Sequence, residues 1–110
     1  RRLALELMQE GYGAYQSGRF AQTLEYRLDK VEDGVAAGPF FANLGGFLTG
    51  LILGLPGLQC GSGPPETWAR RRVILPLGWR AIECDQLWIQ GRPARLRAVH
   101  GAERADLSWT

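Results

Sequence analysis

From Gly34 to Pro65 the chain carries no charged side chain, thirty-two residues in succession. A stretch like that raises the question of a membrane at once. Its strongly apolar part, Leu44 to Leu58, is only 15 residues long, whereas a membrane-spanning helix needs about 20. It is also punctuated by Gly45, Gly46, Gly50, Gly54, Pro56 and Gly57. The pattern predicts a helix apolar on every side, held in a crowded protein interior, rather than a membrane span. Gly46, Gly50 and Gly54 recur every four residues and would give one smooth face for close helix contact. Phe47, Leu48, Leu51, Ile52 and Leu55 would fill the core on the other side. Such a helix wants more neighbours than 110 residues readily supply. Together with an opening Arg1-Arg2-Leu3 that lacks an initiator Met, this leads us to expect a piece of a longer chain.

The flanks differ in period. Leu3, Leu7 and Met8 share a helical face opposite Glu6, Gln9 and Glu10, which predicts a helix from residue 3 to about 17. Residues 19–33 fit either a short helix or an extended loop. The glycine-faced helix should end at Pro56-Gly57. After Gly61-Ser62-Gly63-Pro64-Pro65 the pattern becomes alternating. Val73, Leu75 and Leu77 alternate with Arg72, Ile74 and Pro76. A strand from Ile82 to Ile89 leads to a turn at Gly91-Arg92-Pro93. Ala94, Leu96 and Ala98 then alternate with Arg95, Arg97 and Val99, and a His100-Gly101 turn precedes Ala105, Leu107 and Trp109. This predicts an antiparallel meander with one wet face. The class expected is α+β, with a helical part at 1–57 and an antiparallel β-domain at 58–110.

Charge and cysteine usage exclude several functions. Thirteen basic and 11 acidic residues leave a net charge of +2, with no block of like charge, so no nucleic-acid partner is expected. Arg70-Arg71-Arg72 beside Trp68 reads as a solvated strand edge. Cys60 and Cys84 lack any companion ligands for a metal and read as buried free thiols, although a disulfide stays open. His100, the only histidine, sits in a turn and reads as solvated. No cofactor motif is present and no metal is expected. Trp79, Trp88 and Trp109 suit the core of a sheet or, as the sharper alternative, a sugar-stacking surface. The compartment stays open, the cytoplasm being the default.

The succession Gly38-Pro39-Phe40-Phe41-Ala42-Asn43-Leu44-Gly45-Gly46-Phe47 through Gly54-Leu55-Pro56-Gly57-Leu58 resembles a junction in glycoside hydrolase family 65 and its acid-trehalase-like relatives. Val73-Ile74-Leu75-Pro76-Leu77-Gly78-Trp79 is similar to a turn early in that family's C-terminal domain, and Leu87-Trp88-Ile89-Gln90-Gly91-Arg92 to a following hairpin. The likeness covers residues 38 to about 100. It implies terminal helices of an (α/α)6 barrel followed by an antiparallel sheet, part of a C-terminal β-sandwich. It also implies inverting hydrolysis of α-glucosidic bonds in the intact parent, with an α-glucoside or oligosaccharide as substrate and the remainder of the parent chain as partner.

Inversion needs a carboxylic acid to protonate the leaving oxygen and a carboxylate to activate water, set roughly 6.5–9.5 Å apart. The resemblance places the acid upstream of these residues and the base about 15 residues before Gly45. That count lands on Lys30, which cannot act as a carboxylate base, so the candidate bases are its neighbours Glu32 and Asp29. Phosphorolytic members carry a His where Phe40 stands, so hydrolysis is the expected reaction. The alternative is a non-catalytic β-domain whose helical hairpin docks for assembly or sugar binding.

Overall fold

In the computed structural model the chain is α+β: helices lead into a three-stranded antiparallel sheet. The structure describes residues 1–11, 16–17, 22–23 and 41–110. They fall into two compact units, Arg2–Thr49 and Gly50–Thr110, Arg1 belonging with the second.

In the first unit, α1 (Arg2–Gly11) ends well before the expected residue 17, and Gln16–Ser17 instead forms a short strand, β1, paired antiparallel with β2 (Gln22–Thr23). Gly11 and Gly13 each cost a helix about 1 kcal/mol relative to Ala, enough to stop a helix this short. Leu3 and Leu7 do share a stripe, but both are exposed, contrary to the inward face their spacing suggests. Spacing tells which side chains share a face, and not what covers it. α2 (Phe41–Thr49) follows, with the Thr49 hydroxyl donating to the Gly45 carbonyl at 2.8 Å.

The second unit opens with a π-helix, Gly50–Gly54. The Leu55 N–H donates to the Gly50 carbonyl at 3.0 Å and the Leu58 N–H to the Leu53 carbonyl at 2.9 Å, each five residues back. Pro56 has no N–H to offer one turn back, a local reason for α-geometry to stop. The regular α-helix expected through Gly46, Gly50 and Gly54 ends at Thr49, where the π-geometry begins. All three glycines are exposed, and a Cβ added at any of them would meet no described atom within 4 Å. The expected close-packing face is therefore open among the described residues.

The chain then leaves through Gly57. Its φ is +80°, and a Cβ there would collide with the Arg71 carbonyl, while Arg71 N–H donates to the Gly57 carbonyl at 3.1 Å. Only glycine fits both demands. Residues 58–76 wrap one side of the sheet, with a single 3-10 turn at Pro65–Thr67. Val73 and Leu75 are buried as alternation suggests, but this stretch is extended coil and not a strand. Leu77, expected on the inner side, is 92% exposed. It stands at the tip of a turn in which Trp79 N–H donates to the Pro76 carbonyl at 3.1 Å and Gly78 takes φ +87°.

The sheet runs β3 (Ala81–Ile89), β4 (Arg92–Val99), β5 (Asp106–Trp109), with β4 central. The hairpin turn is Gln90-Gly91, one position earlier than expected, and both residues have positive φ, as a two-residue type I′ connection demands. Pro93 lies within β4, not in the turn. It faces Thr110, just past the end of β5, where its missing N–H interrupts no ladder, and its carbonyl still accepts from Thr110 at 3.1 Å. Ala94, Leu96 and Ala98 are fully buried and alternate with exposed Arg95, Arg97 and Val99, as the sequence pattern predicts. Leu55, Leu58, Trp68, Val73 and Leu75 complete the core with Ile89, Ala105 and Leu107.

Candidate functional site

The candidate bases Glu32 and Asp29, with Lys30 between them and Phe40 beyond, lie outside the described residues. What the structure does present is the wet outer face of the sheet, and its geometry follows from register. Cys84 pairs with Leu96 and Leu87 with Ala94, so β3 spends two residues, Asp85 and Gln86, opposite the single Arg95. Strict alternation would put Cys84 and Leu87 on opposite faces. The bulge adds one residue and returns both to the inner face, leaving Asp85 and Gln86 exposed.

Across the outer face, Glu83 opposes Arg97, which opposes Asp106, and Arg95 opposes Ser108. The Arg97 Nε donates to the Glu83 carboxylate at 2.8 Å, and Arg95 Nε lies 3.2 Å from the Asp85 carboxylate. These charges are exposed, so each pair contributes about 0–1 kcal/mol to stability. Next to this band, Trp88 pairs with Pro93 and is 65% exposed. On the inner side at the same end, Arg92 stacks its guanidinium 4.4 Å over the Trp109 ring.

The three tryptophans considered from sequence do not converge. Trp88 and Trp109 pair with neighbouring residues of β4, Pro93 and Ala94, and so project from opposite faces. Trp79 precedes the other end of β3, which over nine residues is about 30 Å long. Neither Trp79 nor Trp88 is a core residue, contrary to the expectation for strand tryptophans; both are exposed. The buried indole is Trp68, whose Nε1–H donates to the Gly63 carbonyl at 3.2 Å. Its burial removes the stacking platform that Trp68 beside three arginines could suggest.

Arg70, Arg71 and Arg72 are exposed as expected, but they occupy irregular backbone, not a strand edge. Arg70 donates to the Thr67 carbonyl, and Arg72 to the Gly101 carbonyl while pairing with Glu103 at 3.6 Å. Arg1 reaches the carbonyls of Leu55 and Arg72, and burial, then the nearby Arg71 charge, lowers its pKa. Cys60 and Cys84 are free thiols, but Cys60 is exposed and Cys84 half-buried, so neither is the buried thiol expected. The irregular backbone of 59–64 carries Cys60 out to solvent. His100 is exposed in its turn, Nδ1 3.0 Å from the Trp79 carbonyl. Among the described residues no three His, Cys, Asp or Glu side chains gather to hold a metal, and no helix is long and apolar enough to cross a membrane.

Sequence reasoning singled out Trp88 but missed its companions Asp85 and Arg95. Their meeting depends on the bulge, for which the sequence carries no strong signal. The chain matches no family model, no curated protein and no solved structure.

Proposed function

We propose that these residues are the C-terminal part of a longer carbohydrate-active protein resembling glycoside hydrolase family 65. In this reading α2 is a terminal helix of an (α/α)6 barrel, and the sheet belongs to a C-terminal β-sandwich with no catalytic group of its own. The intact parent hydrolyses an α-glucosidic bond with inversion, and Glu32 is the general base, with Asp29 as the substitute. The observation that carries the reading is the exposure of Leu44 and Leu48 on α2 among the described residues. Leu44 and Leu48 are 39% and 49% exposed, and nothing described approaches Gly45 or Gly46. A helix this apolar gains its stability from neighbours, and a barrel of helices would supply them. The order of elements, from helix through a glycine exit to an antiparallel meander, supports the same reading.

The test uses the full-length protein that contains these residues, assayed on kojibiose and trehalose, with the anomer of the first-released glucose followed by NMR. Turnover that forms β-glucose from the attacked ring, and so one β- and one α-glucose from each trehalose, is the expected result; the α-anomer from that ring, or no turnover, overturns the reading. Glu32→Gln should lower kcat by about a hundredfold with little change in KM, and Asp29→Asn should be mild. Residues 1–110 alone should show no turnover, because the acid partner lies upstream in this reading.

A further inference from the structure

The outer face of the sheet has an apolar end and a charged band that no core requirement explains. Trp88 is the most exposed aromatic side chain of the sheet, and its cross-strand partner Pro93 extends the apolar plane beside it. Arg95 lies two positions along β4 from Pro93 on the same face, held against Asp85 at 3.2 Å. The bulge sets Asp85 and Gln86 together opposite Arg95, which is two strand positions along the outer face from the Trp88–Pro93 pair. The rest of the face carries Glu83, Arg97 and Asp106, which with Asp85 and Arg95 makes three acids against two bases.

We propose that this surface binds a sugar ring, the Trp88 indole stacking on the C–H face of a pyranose while Asp85 and Arg95 hydrogen-bond its hydroxyls. The choice of an α-glucoside rests on the carbohydrate-active reading above. The chemistry favours a sugar over other occupants. A pyranose is apolar on its face and polar round its rim, matching a flat aromatic with a carboxylate and a planar guanidinium further along the same face. A phosphate-bearing ligand would meet the excess of acidic groups. A dry protein partner would have to desolvate the Asp85–Arg95 and Glu83–Arg97 pairs, and charges of that kind are depleted in interface cores. A sugar leaves them partly in water.

The test titrates the 110-residue chain with kojibiose and follows backbone amides, the Trp indole N–H and the Arg Nε–H resonances by NMR. The Trp88 indole and Arg95 signals should move saturably in the millimolar range, while those of Trp79 stay still. Trp88→Ala, with its fold checked by circular dichroism, should weaken the response at Arg95 and Ser108 by about tenfold or more. Trp88→Phe should recover part of it, and Trp79→Ala should change nothing. Absence of movement, or an unchanged response in Trp88→Ala, overturns the proposal. So does a concentration-dependent shift without sugar that Trp88→Ala abolishes, which would give the face to a second copy of the chain. Kojibiose binding at Trp88 in a protein whose parent shows no turnover would retire the hydrolase reading alone. Turnover in the parent with a silent Trp88 would retire this site alone.

Discussion

Gly57 and Gly46 lie eleven residues apart and look alike on paper, but their surroundings are opposite. Gly57 holds a left-handed backbone against the Arg71 carbonyl at the point where the chain turns onto the sheet. Gly46 is on an exposed helix turn where an added methyl would touch nothing described. The same contrast separates Leu96, fully buried in the central strand, from Leu48, about half exposed on α2. On the inner face of the sheet Ala94, Leu96, Ala98 and Leu107 are all buried. Along α2, Leu44 and Leu48 are apolar but exposed. Hydrophobicity alone therefore does not measure what a residue contributes; the contacts it makes decide.

Matched substitutions test that contrast. The largest expected effect is Leu96→Ala, which leaves a cavity in a fully packed layer and should cost about 2–5 kcal/mol in denaturant unfolding. Leu48→Ala should cost about 1 kcal/mol or less, since only about half of its surface leaves water on folding. Equal losses in the two would mean that α2 is as well packed as the sheet and would erase the difference. Gly57→Ala comes next, at about 2–4 kcal/mol, because left-handed strain adds to overpacking against backbone. Its partner Gly46→Ala should stabilise by about 0.5–1 kcal/mol, the ordinary helical gain over glycine. In the full-length parent the larger Gly46→Leu should reverse sign and destabilise, if neighbouring helices close on that face. Measuring the melting temperature of both variants in both chains sharpens the comparison most.

Smaller effects probe the edges of the packed unit. Trp68→Phe removes the indole donor to Gly63 and some volume, which should cost about 1–2 kcal/mol. Trp79→Phe, on the exposed side, should be within about 0.5 kcal/mol of the parent sequence. Smallest of all, Glu83→Gln breaks an exposed ion pair and should change stability by less than about 0.5 kcal/mol, an effect that fades further in high salt. A larger loss there would show that the outer face is more tightly organised than its exposure suggests.

The sheet was legible from sequence because its central strand has buried neighbours on one side and water on the other. Alternation of Ala94, Leu96 and Ala98 with Arg95, Arg97 and Val99 is a direct image of that environment. The turn at His100-Gly101 was legible for a similar reason: Gly101 takes φ +78° where its turn requires it. The hairpin turn was misplaced by one residue because Gln90 adopts a positive φ that glycine or asparagine would ordinarily signal. For the candidate site, Trp88 was visible as a residue type. Its exposure was not, because an aromatic residue in a strand suits either face equally well.

What the sequence determined by itself is local: the alternation of the central strand, the turn at His100-Gly101, and that the apolar stretch Leu44–Leu58 is too short and too broken to span a membrane. These depend on neighbours a few residues away, which the chain order lists directly. Tertiary structure alone decided the rest. It buried Trp68 and left Trp88 in water, gave Gly57 its obligatory role while leaving Gly46 open, and brought Asp85 to Arg95 through a bulge. The approach of Arg71 to Gly57 and of Arg95 to Asp85 is set by packing and register rather than by any pattern within reach of the residue itself.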